Sequence, residues 1–167
     1  MAAAVQATVG AWQTRPEMTM TIRAILPGEG AAIVAAGSLF DSPPDLATAD
    51  RFLATPGHHL LIAFEGETPA GFVSGVELTH PDKGTEMFLY ELAVGEEFQR
   101  RGIGKALVNA LLEVARKQAC YDMWVLTDAD NEAALATYRA TGTTAESGHL
   151  MLTWDLIRSH PTAVSTP

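Results

Sequence analysis

The chain has 167 residues, the length of a single domain, since two domains would each fall well below the usual size of roughly 100–150 residues. Its residues are 47% hydrophobic and 19% charged, and its apolar runs are much shorter than the ~20 residues of a membrane span, so we expect a soluble globular protein without membrane contact. Its 20 Asp and Glu outnumber its 11 Lys and Arg, and the net charge of −9 disfavours nucleic acid and favours a polycation as partner.

The two ends of the chain lack the periodicity of a packed domain. Residues 1–17 are rich in alanine but have no basic start of the kind that opens a signal peptide. We expect a loosely ordered N-terminal extension there and a flexible C-terminal tail over residues 159–167, which contain two prolines. The predicted domain therefore covers residues 18–158.

Between the ends, short apolar runs typical of strands alternate with helical patterns. The last three runs before residue 95 are separated by tight turns, which predicts an antiparallel meander. The elements predicted in this half of the chain are strands at 20–24, 59–64, 70–78 and 86–94 and helices at 28–40 and 50–53.

A helical repeat starts after Gly102. Ile103, Leu107 and Leu111 recur at a spacing of four residues, which predicts a helix that reaches about Ala119. Because strands 86–94 and 123–127 are joined through this helix, they need a parallel crossover, and the predicted fold class is α+β with a mixed, mostly antiparallel sheet flanked by helices. The elements predicted after the helix are the strand at 123–127, a helix at 131–140 and a last strand at 150–154.

The segment from Phe88 to Ala106 has the composition of an anion-binding site. It joins an apolar strand to a helix through two arginines and through Gly102 and Gly104, which let the backbone approach a ligand closely. The unpaired N–H groups and the dipole at the start of a helix favour a pyrophosphate there. Five of the 11 cationic side chains fall in this region of an acidic chain, namely Arg100, Arg101, Lys105, Arg116 and Lys117.

Two other phosphate motifs do not fit this segment. A P-loop needs Ser or Thr after its Lys, whereas Lys105 is followed by Ala106. A dinucleotide-binding fingerprint needs a third Gly at the position where Leu107 stands. The alternative to an anion site is a structural loop that opens a core helix and carries solvated arginines.

Two blocks of the sequence resemble the GNAT superfamily, the acetyl-CoA-dependent N-acyltransferases. The run from Gln99 to Gly104 matches the signature Q/R-x-x-G-x-G/A, and residues 131–142 are similar to the segment N-x-x-A-x-x-x-Y-x-x-x-G. The resemblance covers about residues 19–156 and implies the GNAT fold. With residues 90–94 ahead of the signature, the chain looks most like the type I aminoglycoside 3-N-acetyltransferases.

The resemblance implies a site for acetyl-CoA. The backbone of residues 92–94 would pair with the pantetheine arm, and residues 101–106 would hold the pyrophosphate. Asn131 is expected to cap the helix that follows it, to contact acetyl-CoA, or to do both. The residues predicted to bind acetyl-CoA are Leu92, Ala93, Val94, Gln99, Arg100, Arg101, Gly102, Ile103, Gly104, Lys105, Ala106, Asn131 and Ala134.

Glu91 and Tyr138 are the predicted catalytic residues. An ammonium group must lose a proton before its nitrogen can attack a thioester, and a partly desolvated Glu91 carboxylate could accept that proton. Tyr138 could donate a proton or a hydrogen bond to the departing CoA thiolate. The alternatives are that Glu91 ends its strand on a polar face and that Tyr138 is a core residue.

The remaining polar residues give weaker signals. The five histidines lack the spacing of a metal site, and Cys120 is expected to be a packed small residue, so we predict no metal. A single cysteine also excludes an internal disulfide and is consistent with a cytoplasmic protein. Among acidic residues near strand ends, Asp128 and Asp130 are the pair predicted to bind the ammonium groups of a substrate. The other acidic residues near predicted strand ends are Glu77, Asp82, Glu86 and Glu146.

The predicted function is transfer of an acetyl group from acetyl-CoA to an amine of an aminoglycoside, with the 3-amino group as the expected nitrogen and antibiotic resistance as the result. The transfer would be direct, in a ternary complex. Two alternatives stay open: a GNAT enzyme for another small amine, a polyamine or a protein amino group, and a non-enzymatic acyl-CoA-binding module. The sequence also leaves open whether the chain forms a homodimer.

Overall fold

A computed structural model describes residues 20–144 and 151–153 of the chain. In this part, short 3-10 turns at Gly37–Leu39 and Glu96–Phe98 accompany the regular elements. The strands and α-helices are, in chain order, β1 (Met20–Ala24), α1 (Gly30–Ala35), α2 (Leu46–Ala54), β2 (His58–Glu65), β3 (Thr68–His80), β4 (Gly84–Val94), α3 (Ile103–Lys117), β5 (Met123–Trp124) and α4 (Glu132–Arg139).

The strands form one sheet in the order β1-β2-β3-β4-β5. The first four strands are antiparallel neighbours, as the predicted meander requires. Helix α3 then carries the chain across to β5, which runs parallel to β4 through the pairs Met87 with Met123 and Phe88 with Trp124. The predicted α+β class and the parallel crossover are both confirmed.

The sheet separates two apolar cores. On one face, α3 packs Leu107 and Leu111 against Val73 of β3 and Met87 of β4, and all four side chains are fully buried. Burying each such side chain contributes about 1.5–3 kcal/mol to folding. On the other face, α1 and α2 pack around Phe72 of β3. If helices covered only one face of the sheet, the apolar side chains of the other face would be exposed to water, so helices are needed on both faces.

In three elements an end lies at least three residues from its predicted position. The helix expected at 28–40 stops at Ala35, and the chain tightens into the 3-10 turn that begins at Gly37. Helix α2 is longer than predicted because Asp45 caps it by accepting a hydrogen bond from the Thr48 N–H at 2.9 Å. Strand β5 ends at Trp124 instead of residue 127, because pairing with β4 stops at that point.

Some predictions fall partly or wholly outside the described residues. The N-terminal extension (1–17) and the C-terminal tail (159–167) lie outside them. Of the last predicted strand, only residues 151–153 are described, and they do not form a strand. No helix within residues 20–144 or 151–153 is both long enough and apolar enough to cross a membrane.

Candidate active site

Strand β4 carries a bulge in its second half. Ser74 of β3 pairs with Glu91, and the next residue, Gly75, pairs with Leu89, so Tyr90 is an extra residue without a partner on β3. Side chains alternate between the faces of a strand, and one inserted residue reverses that alternation. The bulge therefore changes the face on which every later side chain of β4 lies.

The reversal takes Glu91 out of the core beneath α3. Before the bulge, Met87 and Leu89 pack in that core, and after it Leu92 and Val94 do so. A regular strand would have placed Glu91 on the same face as Leu89, in apolar surroundings. The bulge moves its carboxylate to the opposite face of the sheet, toward α1 and α2.

On that face Glu91 lines an open pocket of about 470 Å³ with Phe40, Asp41, Ser42 and Tyr90. Burial raises the pKa of the Glu91 carboxyl, and the negative charge of Asp41 raises that pKa further. A carboxylate with a raised pKa is a better proton acceptor near neutral pH than an ordinary one. The pocket thus combines a carboxylate of raised pKa, a second carboxylate and two aromatic rings.

Beside this pocket, the second half of one edge of β4 has no neighbouring strand among the described residues. Strand β5 pairs only with Met87 and Phe88, so in the described part of the chain residues 89–94 face no strand on that side. Backbone N–H and C=O groups on an open edge can bind the amides of an extended ligand. We call residues 89–94 the open edge of β4.

The turn at residues 99–102, between β4 and α3, has an unusual backbone. Arg100 (φ 59°) and Gly102 (φ 80°) are both left-handed, on either side of Arg101. Helix α3 then begins at Ile103 without a side-chain cap, so its first N–H groups are free to bind a ligand. Alternating backbone conformations of this kind direct successive N–H groups into one concavity that suits an anion.

The three cationic side chains around this turn differ in whether they form an ion pair. Arg101 is paired with Glu65 at the end of β2, and its guanidinium carbon lies 5.7 Å from the centre of the Phe98 ring. Arg100 and Lys105 are exposed and form no ion pair among the described residues. Arg100 and Lys105 are therefore the cations near this turn whose charge no described carboxylate neutralises.

Gly104 has a packing role in addition to the role predicted from the sequence. A Cβ at this position would lie 3.3 Å from Cγ2 of Thr137 on α4 and 3.7 Å from Cγ2 of Val94. The missing side chain therefore lets α3, α4 and the end of β4 pack closely. At Gly102, by contrast, no atom of the described residues lies within 4 Å of the Cβ position, so the space beside this glycine is open to a ligand.

Helix α4 holds the second predicted catalytic residue. Asn131 caps the helix by accepting a hydrogen bond from the Ala134 N–H at 3.1 Å, which is one of its two predicted roles. Tyr138 is 8% exposed and belongs to the core beneath α3. Burial raises the pKa of its phenol, so the proton stays on the oxygen at neutral pH.

The predicted substrate pair does not lie in the Glu91 pocket. Asp128 and Asp130 are exposed and form the turn into α4, where their carbonyl oxygens accept hydrogen bonds from the N–H groups of Asn131 and Glu132. The acidic residue that the structure does bring to Glu91 is Asp41, which sequence reasoning missed. Its only local signal was a position just after a helix and before Pro43 and Pro44.

The other polar candidates lie away from this pocket. His59 and Glu77 form a half-buried pair at 2.7 Å, and Tyr121 donates a hydrogen bond to Glu86 at 2.9 Å. Burial raises the pKa of the Cys120 thiol, which keeps it protonated. Within residues 20–144 and 151–153 no three His, Cys, Asp or Glu side chains are grouped to hold a metal ion. Glu146 lies outside these residues.

Among curated proteins, the chain is similar to the N-alpha-acetyltransferase RimI of Mycobacterium tuberculosis. The two are 36% identical over 102 residues, which are 61% of this chain and 62% of RimI. The chain thus spans less than two thirds of the length of this relative.

Solved structures share the fold over most of their length. An aminoglycoside acetyltransferase, meta-AAC0020, from an uncultured soil metagenomic sample, in complex with sisomicin, aligns with a TM-score of 0.76 and 22% identity over 83% of this chain and 97% of that one. Aminoglycoside N-acetyltransferase AAC(6')-Iy in complex with CoA aligns with a TM-score of 0.70 and 20% identity over 83% and 96%. At these identities the likeness is one of fold.

The residues that match a family profile include the candidate active site. The profile of the acetyltransferase (GNAT) family matches residues 31–142, which include the Glu91 pocket, the open edge of β4, the 99–102 turn and α4. This span is more than half of the chain. The chain therefore belongs to the acetyltransferase (GNAT) family.

Proposed function

We propose that the chain transfers the acetyl group of acetyl-CoA to a primary amine bound in the Glu91 pocket. The observation that carries this proposal is the bulge at Tyr90, which places a carboxylate of raised pKa in an open pocket beside an unpaired strand edge. An amine and a thioester could meet there with the base within reach. A chain that only bound acyl-CoA would have no need of a base at this point.

Acetyl-CoA fits the two binding features next to the pocket. Its pantetheine arm contains two amides, which the open edge of β4 can pair with as a further strand would. Its pyrophosphate suits the free N–H groups at the start of α3, with Arg100 and Lys105 adding positive charge. These positions match the resemblance on which the acetyl-CoA residues were predicted.

In the proposed reaction Glu91 accepts a proton from the substrate ammonium, directly or through water. The freed nitrogen attacks the carbonyl carbon of the thioester, and the C–S bond breaks as the tetrahedral intermediate collapses. The nitrogen releases its second proton to water in this step, so the product is a neutral amide. The electron pair leaves on the CoA sulfur, and Tyr138, whose phenol is protonated at neutral pH, donates a hydrogen bond to that thiolate or gives it a proton that water then replaces. No covalent intermediate with the enzyme is required.

The proposed acceptor is an aminoglycoside. Its several ammonium groups complement the paired carboxylates of Asp41 and Glu91 and the net charge of −9. The fold shared with meta-AAC0020, which was solved with sisomicin, is consistent with this class. The 3-amino group and a role in resistance are carried over from the sequence resemblance, and a cytoplasmic location stays a prediction.

A protein N-terminal amino group is the second candidate acceptor. The 36% identity to RimI, an N-alpha-acetyltransferase, favours it. The pocket is open to solvent at the sheet surface, so an extended peptide could also reach Glu91. The charge of the acceptor separates the two candidates, because an α-amino group brings a single ammonium whereas an aminoglycoside brings several.

An assay of CoA release over a panel of acceptors tests the proposal. The panel contains a gentamicin-like aminoglycoside, a monoamine, a peptide with a free α-amino group and the same peptide with that group blocked. We expect the highest kcat/KM for the aminoglycoside. Faster turnover of the free peptide would select the RimI-like candidate, and acetyl-CoA binding without turnover of any amine would contradict the enzyme assignment.

A further inference from the structure

Glu65 is a carboxylate that the proposed reaction does not use. It ends β2, and only 4% of it is exposed, whereas its neighbours in the turn, Gly66 and Glu67, are exposed. A buried carboxylate is costly unless a positive group or hydrogen bonds compensate it. Its compensating partner is Arg101, 36 residues further along the chain.

This ion pair reaches the middle of the 99–102 turn. Arg101 lies between the two left-handed residues, Arg100 and Gly102, and its guanidinium also lies over the ring of buried Phe98. A left-handed conformation is unfavourable for an ordinary residue such as Arg100, so the surrounding structure must hold the turn in place. The pair with Glu65 is the contact that fixes the residue at its centre.

We propose that Glu65 is a positioning residue for the pyrophosphate of acetyl-CoA. It holds Arg101, and through Arg101 it holds the 99–102 turn in the shape that presents the N–H groups at the start of α3 to the anion. Arg101 is then a structural tie and not a phosphate ligand, and Arg100 and Lys105 supply the local positive charge. This inference rests on the proposed assignment of the turn to acetyl-CoA.

The alternative role of Arg101 makes the opposite prediction. If its guanidinium bound the pyrophosphate directly, Glu65 would compete for it, and removing the carboxylate would leave acetyl-CoA binding unchanged or tighter. If Glu65 positions the turn, removing its charge weakens binding. The direction of the change in Kd therefore separates the two roles.

The test compares Glu65→Gln with the matched control Glu67→Gln. Each variant loses one negative charge from the same turn, but Glu67 is exposed and forms no ion pair among the described residues. Titration calorimetry without any amine measures Kd for acetyl-CoA and for S-acetylpantetheine, which lacks the pyrophosphate. We expect Glu65→Gln to raise Kd about tenfold for acetyl-CoA and less than about twofold for S-acetylpantetheine, with Glu67→Gln like the wild type for both.

Three results would overturn the inference. They are an unchanged or lower Kd for acetyl-CoA in Glu65→Gln, an equal loss for both ligands, and a further loss when Arg101→Gln is added to Glu65→Gln. If Glu65→Gln does not fold by circular dichroism, Glu65→Asp, which keeps the charge but shortens the side chain, carries the same prediction. A wild-type protein that binds both ligands equally would refute the assignment of the turn, and because no amine is present, failure of the acceptor assignment leaves this test intact.

Discussion

Glu91 is half-buried beside Asp41, and the resulting rise in its pKa has two measurable consequences. As a general base it should contribute about 10²- to 10⁴-fold to kcat, so Glu91→Gln should lower kcat by that factor at neutral pH. The raised pKa also means that the ionised Glu91 carboxylate is less favourable in the folded chain than in the unfolded chain. We therefore expect Glu91→Gln to raise the melting temperature at pH 7.

The sign of that stability effect follows from proton binding. Because the pKa of Glu91 is higher in the folded chain than in the unfolded chain, the free energy of unfolding falls as the pH rises from the unfolded pKa through the folded pKa, and it stays lower above that. The gain from Glu91→Gln should shrink as the pH falls through that pKa. Steady-state kinetics and thermal melts over a pH series measure both effects, and a variant that keeps most of its kcat would show that Glu91 only ends its strand.

Asp41 should tune Glu91 and bind the acceptor. Asp41→Asn removes the negative charge that raises the pKa of Glu91, so the acidic limb of the kcat/KM profile should move to lower pH. The same change should raise KM for an aminoglycoside more than for a monoamine. Asp128→Asn is the comparison, because the sequence predicted a substrate role there and the pocket does not include it; a larger KM effect at Asp128 would contradict this account of the pocket.

At the scale of elements, the turn between β4 and α3 is strained at Arg100, and that strain gives a prediction. Arg100→Gly removes the energetic cost of a left-handed conformation at a residue with a side chain, but it also raises the conformational entropy of the unfolded chain. We therefore expect a net gain of about 0.5–1 kcal/mol in the free energy of unfolding. The lost cation should raise Kd for acetyl-CoA. Denaturant melts and calorimetry measure the two changes.

Arg100→Ala is the matched control for this prediction, because it removes the same cation and keeps the left-handed strain. It should weaken acetyl-CoA binding as much as Arg100→Gly does, without the gain in stability. If both variants bind acetyl-CoA as tightly as the wild type, Arg100 takes no part in anion binding.

The elements could be predicted where they depend on local pattern. The four-residue spacing of Ile103, Leu107 and Leu111 indicated α3, and the turns between apolar runs indicated the meander. The bulge at Tyr90 could not be predicted, because it depends on the pairing of β4 with β3. The proximity of Asp41 to Glu91 could not be predicted either, because 50 residues separate them in the sequence. They line the same pocket only because α1 and α2 pack on the sheet.

For the molecule as a whole, the net charge of −9 should be visible in the kinetics. A polycationic acceptor is attracted over about the Debye length, ~8 Å at physiological ionic strength, and added salt screens that attraction. KM for an aminoglycoside should therefore rise with NaCl concentration, and KM for a monoamine should change much less. Equal salt dependence for both acceptors would count against the aminoglycoside assignment.

The most direct test of the central claim is mass spectrometry of an aminoglycoside incubated with acetyl-CoA and either the wild-type protein or Glu91→Gln. We expect a product that carries one added acetyl group on an amine, formed at least about 100-fold more slowly by Glu91→Gln. The proposed function would be contradicted if the wild-type protein bound acetyl-CoA and formed no acetylated product, or if both proteins formed it at the same rate.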